Sequence, residues 1–184
     1  GIANSTAINT GNTTGCTNTE TTNTGIASTA TTVNLGNLSS AAINISAQLI
    51  TISTNAQNGY SLTATSSGHL INPATGFWIA DSTTPTVMTA GTPWFGKHAC
   101  GLNVASGTWA TGATGGGANA KYGWPTQATS VSLASVATGP IGNTAATGGV
   151  GAGLTSVEYA STVDVTVPAG IYSSVITYVA TPTF

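Results

Sequence analysis

The sequence predicts an all-β protein, a single β-sandwich of the jelly-roll or immunoglobulin-like kind with an extended N-terminal tail. Three observations predict it. Helix formers are scarce, with only two Lys or Arg and four Asp or Glu among 184 residues, whereas the abundant Thr, Val, Ile and Gly suit pleated strands and turns. Short apolar segments alternate with period two, which puts every second side chain on one face of a strand. Turn signals separate these segments about every 8–12 residues, the rhythm of a sandwich. Hydrophobic content of 40% is enough for a core and lies outside the low-apolarity, high-charge composition of disordered chains.

Residues 1–30 are a Thr/Asn-rich segment. Extended, its Ile2, Thr6 and Ile8 fall on one side, but it is too polar to make its own core. A strand that pairs elsewhere is expected within about residues 1–15, and the sandwich domain is expected over 31–184. TTVNLGNL (31–38) reads as a short strand ending at Gly36. Ile43, Ile45 and Ala47 then share one face and Ile50 and Ile52 the other, which predicts a bulge near Gln48 and Leu49. NAQNG (55–59) is a turn of residues that tolerate left-handed backbone, and Tyr60, Leu62 and Ala64 alternate after it, so residues 48–66 read as a hairpin.

GFWIA (76–80), PTVM (85–88) and VSLAS (131–135) read as short strands between Gly-, Pro- and Thr-rich connectors, and TGATGGGANA (111–120) as a flexible loop. VEYASTVDVTV (157–167) places Tyr159, Ser161, Val163, Val165 and Val167 on one face. Pro168-Ala169-Gly170 turns the chain, and IYSSVITYVA (171–180) returns with Tyr172, Ile176 and Tyr178 in register.

A formal charge of −2 with no clustered Lys or Arg excludes a nucleic-acid footprint and a polybasic membrane patch. No apolar run reaches the roughly 18–20 residues of a spanning helix, so membrane insertion is not expected. GIANSTAINT has neither the basic nor the apolar region of a signal peptide, and Gly1 reads as a mature end left by cleavage or an artificial boundary. Charged residues make up 3% of the chain against about 25% in ordinary domains, so Lys cannot blunt its strand edges. Glycan cover, edges consumed by assembly, or an acidic or saline medium would each tolerate this. The dense Ser/Thr/Asn surface reads as that of an extracellular protein.

No catalytic site is expected. His69 and His98 have no carboxylate at a dyad spacing, and no G-x-S-x-G elbow occurs. Lys97-His98-Ala99-Cys100 and Cys16 lack the C-x-x-C or H-x-x-x-H spacing of a metal site, and no cofactor is expected. In an oxidising exterior Cys16 and Cys100 read as one disulfide, within or between subunits. Closing so long a loop is worth roughly 4–5 kcal/mol in the chain-entropy model. Asn4, Asn12, Asn37 and Asn44 head N-x-[ST] sequons and are candidate glycosylation sites. Trp78, Trp94, Trp109 and Trp124 either fill core and interface or offer stacking platforms for glycans.

LITISTNAQNGYSL (49–62) and VDVTVPAGIYSSVITYVATPTF (163–184) resemble a group of secreted prokaryotic β-sandwich surface proteins, with VNLGNLSS (33–40) similar to their short entry strand. Layout and composition resemble filament subunits built by donor-strand complementation, namely archaeal bundling pili and threads and biofilm-matrix fibres of the TasA type. The resemblance implies that Gly1 to about Asn12 fills a groove in a neighbouring subunit, with Ile2 and Ile8 as plugs. It implies a secreted homopolymer of identical subunits that touches other cells, glycans or surfaces in adhesion, cell–cell contact or biofilm scaffolding. The alternatives are a carbohydrate-binding or adhesin module, or an S-layer packing protein.

Overall fold

The computed structural model describes residues 21–82, 86–104, 121–122, 130–142 and 153–184. The expected donor strand with Ile2, Thr6 and Ile8, and likewise Cys16, Asn4, Asn12, Trp109 and Trp124, lie outside these residues. All regular structure among the described residues is strand: β1 (Asn44–Thr51), β2 (Tyr60–Ser66), β3 (Leu70–Ile71), β4 (Trp78–Asp81), β5 (Thr86–Val87), β6 (Trp94–Cys100), β7 (Lys121–Tyr122), β8 (Val131–Val136), β9 (Leu154–Thr162) and β10 (Ile176–Pro182). The protein is all-β, and the strands expected around 76–80, 85–88 and 131–135 are β4, β5 and β8.

The strands form a five-stranded sheet, β1-β9-β6-β4-β3, a three-stranded sheet, β10-β2-β8, and the pair β5-β7. Pairing is antiparallel throughout except between β4 and β6. β9 is hydrogen-bonded on both sides, to β1 and β6, and every residue from Thr155 to Val163 is buried. β6 is buried from Phe95 to Cys100.

Both faces of these central strands are covered. On one face Phe95, Ala99, Val157 and Tyr159 share a core with Tyr60, Leu62 and Ala64 of β2 and Val131 and Leu133 of β8. On the other, Cys100 and Ala160 cluster with Ile45, Ala47 and Met88, and Trp94 packs against them. A strand buried on both sides loses its simple alternation.

Four expectations are corrected. β1 runs against β9 in unbroken register from Asn44↔Ser161 to Thr51↔Leu154, so no bulge sits at Gln48 and Leu49. Ile45 and Ala47 serve one core while Ile50 and Ile52 pack on the other, which produces the same sequence signature. The irregularity falls instead between Leu62 and Thr63, opposite β8.

Residues 48–66 are not a hairpin, because β1 and β2 belong to different sheets. The turn chemistry is present, with Gly59 at φ 75° and the Asn58 N–H donating to Thr183 O at 3.0 Å, but it arches from sheet to sheet. A Cβ on Gly59 would lie 2.3 Å from Val136 O, so only glycine fits this crossing without strain.

The final strand–turn–strand is likewise two strands in different sheets. β9 ends at Thr162, and residues 163–175 cross over before β10 pairs with β2. Within the crossover the Asp164 carboxylate accepts from the Thr166 N–H and hydroxyl at 2.8 and 2.7 Å, and Val165 is 91% exposed.

Finally, TTVNLG is not a strand. Side chains take over its backbone hydrogen bonds: Thr29 Oγ1 accepts from the Thr31 and Thr32 N–H groups at 3.3 and 3.0 Å. Asn34 Oδ1 accepts from the Gly36 N–H at 2.8 Å. Such local capping competes directly with ladder formation.

Candidate functional site

These corrections have a common result. Residues 31–40 carry apolar Val33, Leu35 and Leu38 toward the core yet add no strand beside β10, the end strand of its sheet. A groove of about 1370 Å³ lies between this segment and the 163–175 crossover. Leu70, Phe95, Tyr159 and Val163 line it together with Ile176 and Tyr178 of β10, and Asp164 is the only charged residue among the described ones lining it.

A polar cluster lines part of the groove. The Tyr159 and Tyr178 hydroxyls are hydrogen-bonded to each other, and the Tyr178 O–H also donates to Gln48 Oε1 at 3.4 Å. Burial pushes the Tyr178 phenol well above its ordinary range, because a phenolate there would lose its hydration. Gln48 in turn donates from Nε2 to Thr29 O at 2.8 Å, tying β1 to the start of the loop segment.

Antiparallel alternation fixes which β10 groups face outward. The Ser67 N–H donates to Val175 O at 2.8 Å and the Thr183 N–H to Gly59 O at 3.0 Å, so odd-numbered residues point toward β2. Ile176, Tyr178 and Ala180 therefore direct their backbone N–H and C=O groups away from β2. The arrangement offers an apolar floor beside a strand edge, which is what an added extended peptide uses.

Asn37 is exposed, as its sequon requires, but Asn44 is not. Asn44 is 9% exposed, and its Nδ2, the atom a glycan would occupy, donates to Leu35 O and Asn37 O at 2.7 and 3.1 Å. Asn44 is therefore a strap for the loop segment and is withdrawn as a glycosylation candidate. Cys100 is disulfide-bonded and 1% exposed. Trp78 is 55% exposed, whereas Trp94 is half-buried against the second core.

Two pairings were missed by spacing alone. His69 Nδ1 lies 3.0 Å from Asp81 Oδ2, because the β3–β4 hairpin sets Leu70 opposite Ile79 and brings the flanking residues together. The strand GFWIA was legible, but its two-residue partner was too short to see. His98 faces Glu158 across the β6–β9 ladder and both are fully buried; nothing short of the strand pairing could have joined them. Lys97, facing Tyr159 in the same ladder, is also fully buried, and the loss of hydration lowers its ammonium from 10.5 to about 7. No protein-family model matches the chain, and comparison with curated proteins and with solved structures likewise finds no match.

Proposed function

We propose that this chain is a secreted structural subunit of an extracellular filament, folded as a β-sandwich and polymerised head to tail by strand donation. The groove beside β10 is the acceptor, and residues 1–15 of a second copy are the donor. The carrying observation is the apolar floor of Leu70, Phe95, Tyr159 and Val163 lying beside a strand edge that no described strand covers. A donated strand as long as β10, seven residues, spans about 23 Å and would hydrogen-bond to Ile176, Tyr178 and Ala180. Ile2 and Ile8 would bury their side chains on the apolar floor.

Donor and acceptor are different surfaces of one chain, so the contact is heterologous and propagates instead of closing. Charge supports the same reading, since β10 carries no Lys or Glu to repel an incoming strand. The role is structural: adhesion, cell–cell contact or matrix scaffolding.

A synthetic peptide of residues 1–15 tests the groove directly. Added in excess to the full chain, it should cap growing ends and shorten the filaments, and its residues should show exchange protection when bound. A peptide with Ile2 and Ile8 replaced by Asp should do neither. Equal effects of both peptides would refute the groove–leader pairing.

A further inference from the structure

The β3–β4 hairpin carries a second, chemically distinct feature. Its loop is closed by the Asn72 N–H donating to Phe77 O and the Gly76 N–H donating to Asn72 O, both at 2.8 Å. Asn72 Oδ1 also accepts from the Ala74 N–H at 3.0 Å. Gly76 takes φ 72°, which only glycine adopts readily. The hairpin is thus a fixed mount for the side chains at its base.

One of these is Trp78, more than half exposed. The His69 ring lies nearly parallel to it, with centroids 5.9 Å apart and 11° between planes. His69 is itself held by Asp81, whose side chain is 3% exposed while that of His69 is 34% exposed. A carboxylate only accepts hydrogen bonds, so Nδ1 carries the proton in this pair, and Nε2 is the ring nitrogen left to meet a ligand. Ile71, opposite Trp78 in the ladder, is 44% exposed and extends the apolar surface.

The geometry points to a carbohydrate-binding platform: Trp78 stacks against the C–H face of a neutral pyranose, and His69 Nε2 hydrogen-bonds to one of its hydroxyl groups. A sugar ring pairs an apolar face with hydroxyl groups at its rim, matching an indole face beside a fixed polar nitrogen. An aliphatic ligand would leave the imidazole nitrogen desolvated without a partner. A polyanion would find no Lys or Arg among the described residues of the hairpin. The carboxylate of the cluster is buried behind the histidine, so the platform exposes no anion to its ligand.

Asp81 and His69 act as binding and positioning groups here. The site does not depend on polymerisation, although a filament would repeat it along its length and turn weak single contacts into avidity. Two sources share this chemistry: a polysaccharide of another cell or matrix, and a glycan on a neighbouring copy.

The test titrates the full chain with cellohexaose, chitohexaose and mannohexaose, read by saturation-transfer NMR and tryptophan fluorescence. Melting temperatures confirm that each variant is folded. At least one oligosaccharide should bind; Trp78→Ala should weaken it about tenfold or more, and Trp78→Phe should retain most of it. His69→Ala should weaken binding about threefold or more. Binding that survives enzymatic deglycosylation of the protein with unchanged free-oligosaccharide affinity assigns the site to external glycan; affinity that rises on deglycosylation assigns it to a glycan of this protein. No binding of any of the three at millimolar concentration, or wild-type affinity in either alanine variant, overturns the proposal.

Discussion

Lys97 is the residue whose energetics are most exposed to test. It lies on β6 with no solvent access, and desolvation lowers its ammonium to about 7. In the unfolded chain it titrates near 10.5, so between pH 7 and 10.5 the unfolded state binds more protons than the native state. Stability therefore rises with pH across that window and is flat below it as far as this group is concerned. The full shift corresponds to on the order of 4 kcal/mol lost at neutral pH relative to alkaline conditions. Lys97→Met, which keeps the chain length and removes the charge, should raise the urea midpoint at pH 6.5 and lose most of that advantage by pH 10. A variant less stable than wild type at both pH values would show that the ammonium has a compensating role in the fold. The same residue explains why β6 was not legible as a strand: WFGKHAC places Lys97 and His98 where a doubly covered strand is usually apolar, so the segment reads as ligand chemistry and not as core.

At the scale of elements, several strands were legible and their partners were not. Period-two spacing pointed to β2, whose burial alternates residue by residue, and to β9, although both of its faces are covered; β4 and β8 were legible as short apolar runs between Gly-, Pro- and Thr-rich connectors. Pairing is not written locally. The turns at 55–59 and 168–170 have the residues of tight turns, yet they serve an arch and a crossover between sheets, which use the same left-handed and proline-restricted backbone. The hairpin holding His69 against Asp81 was hidden for the converse reason, its first strand being two residues long. β10 is where element geometry becomes predictive. Ala180 is exposed and its N–H points away from β2, so Ala180→Pro deletes an outward donor while sparing the β2 ladder, a substitution edge strands accommodate. Its melting temperature should stay within a few degrees of wild type while filament yield falls severalfold, measured by pelleting and densitometry. Normal filaments from this variant would remove the β10 edge from the assembly contact.

For the whole molecule, the informative quantity is the charge that does not reach the surface. Lys97 and Glu158 are fully buried and the Asp81 side chain is 3% exposed, which leaves Asp164 as the accessible carboxylate among the described residues. A surface so poor in charge offers little self-repulsion and few gatekeepers. It suits a chain whose edges are occupied by neighbours. The all-β class followed from composition, alternation and turn spacing, and the groove did not, because it arises where residues 31–40 pack without forming a strand. The central claim is strand donation by the leader, and its most direct measurement is negative-stain electron microscopy of the full chain beside a chain beginning at Thr17. The account predicts filaments from the first and dispersed monomers from the second. Filaments of equal length from both would contradict it.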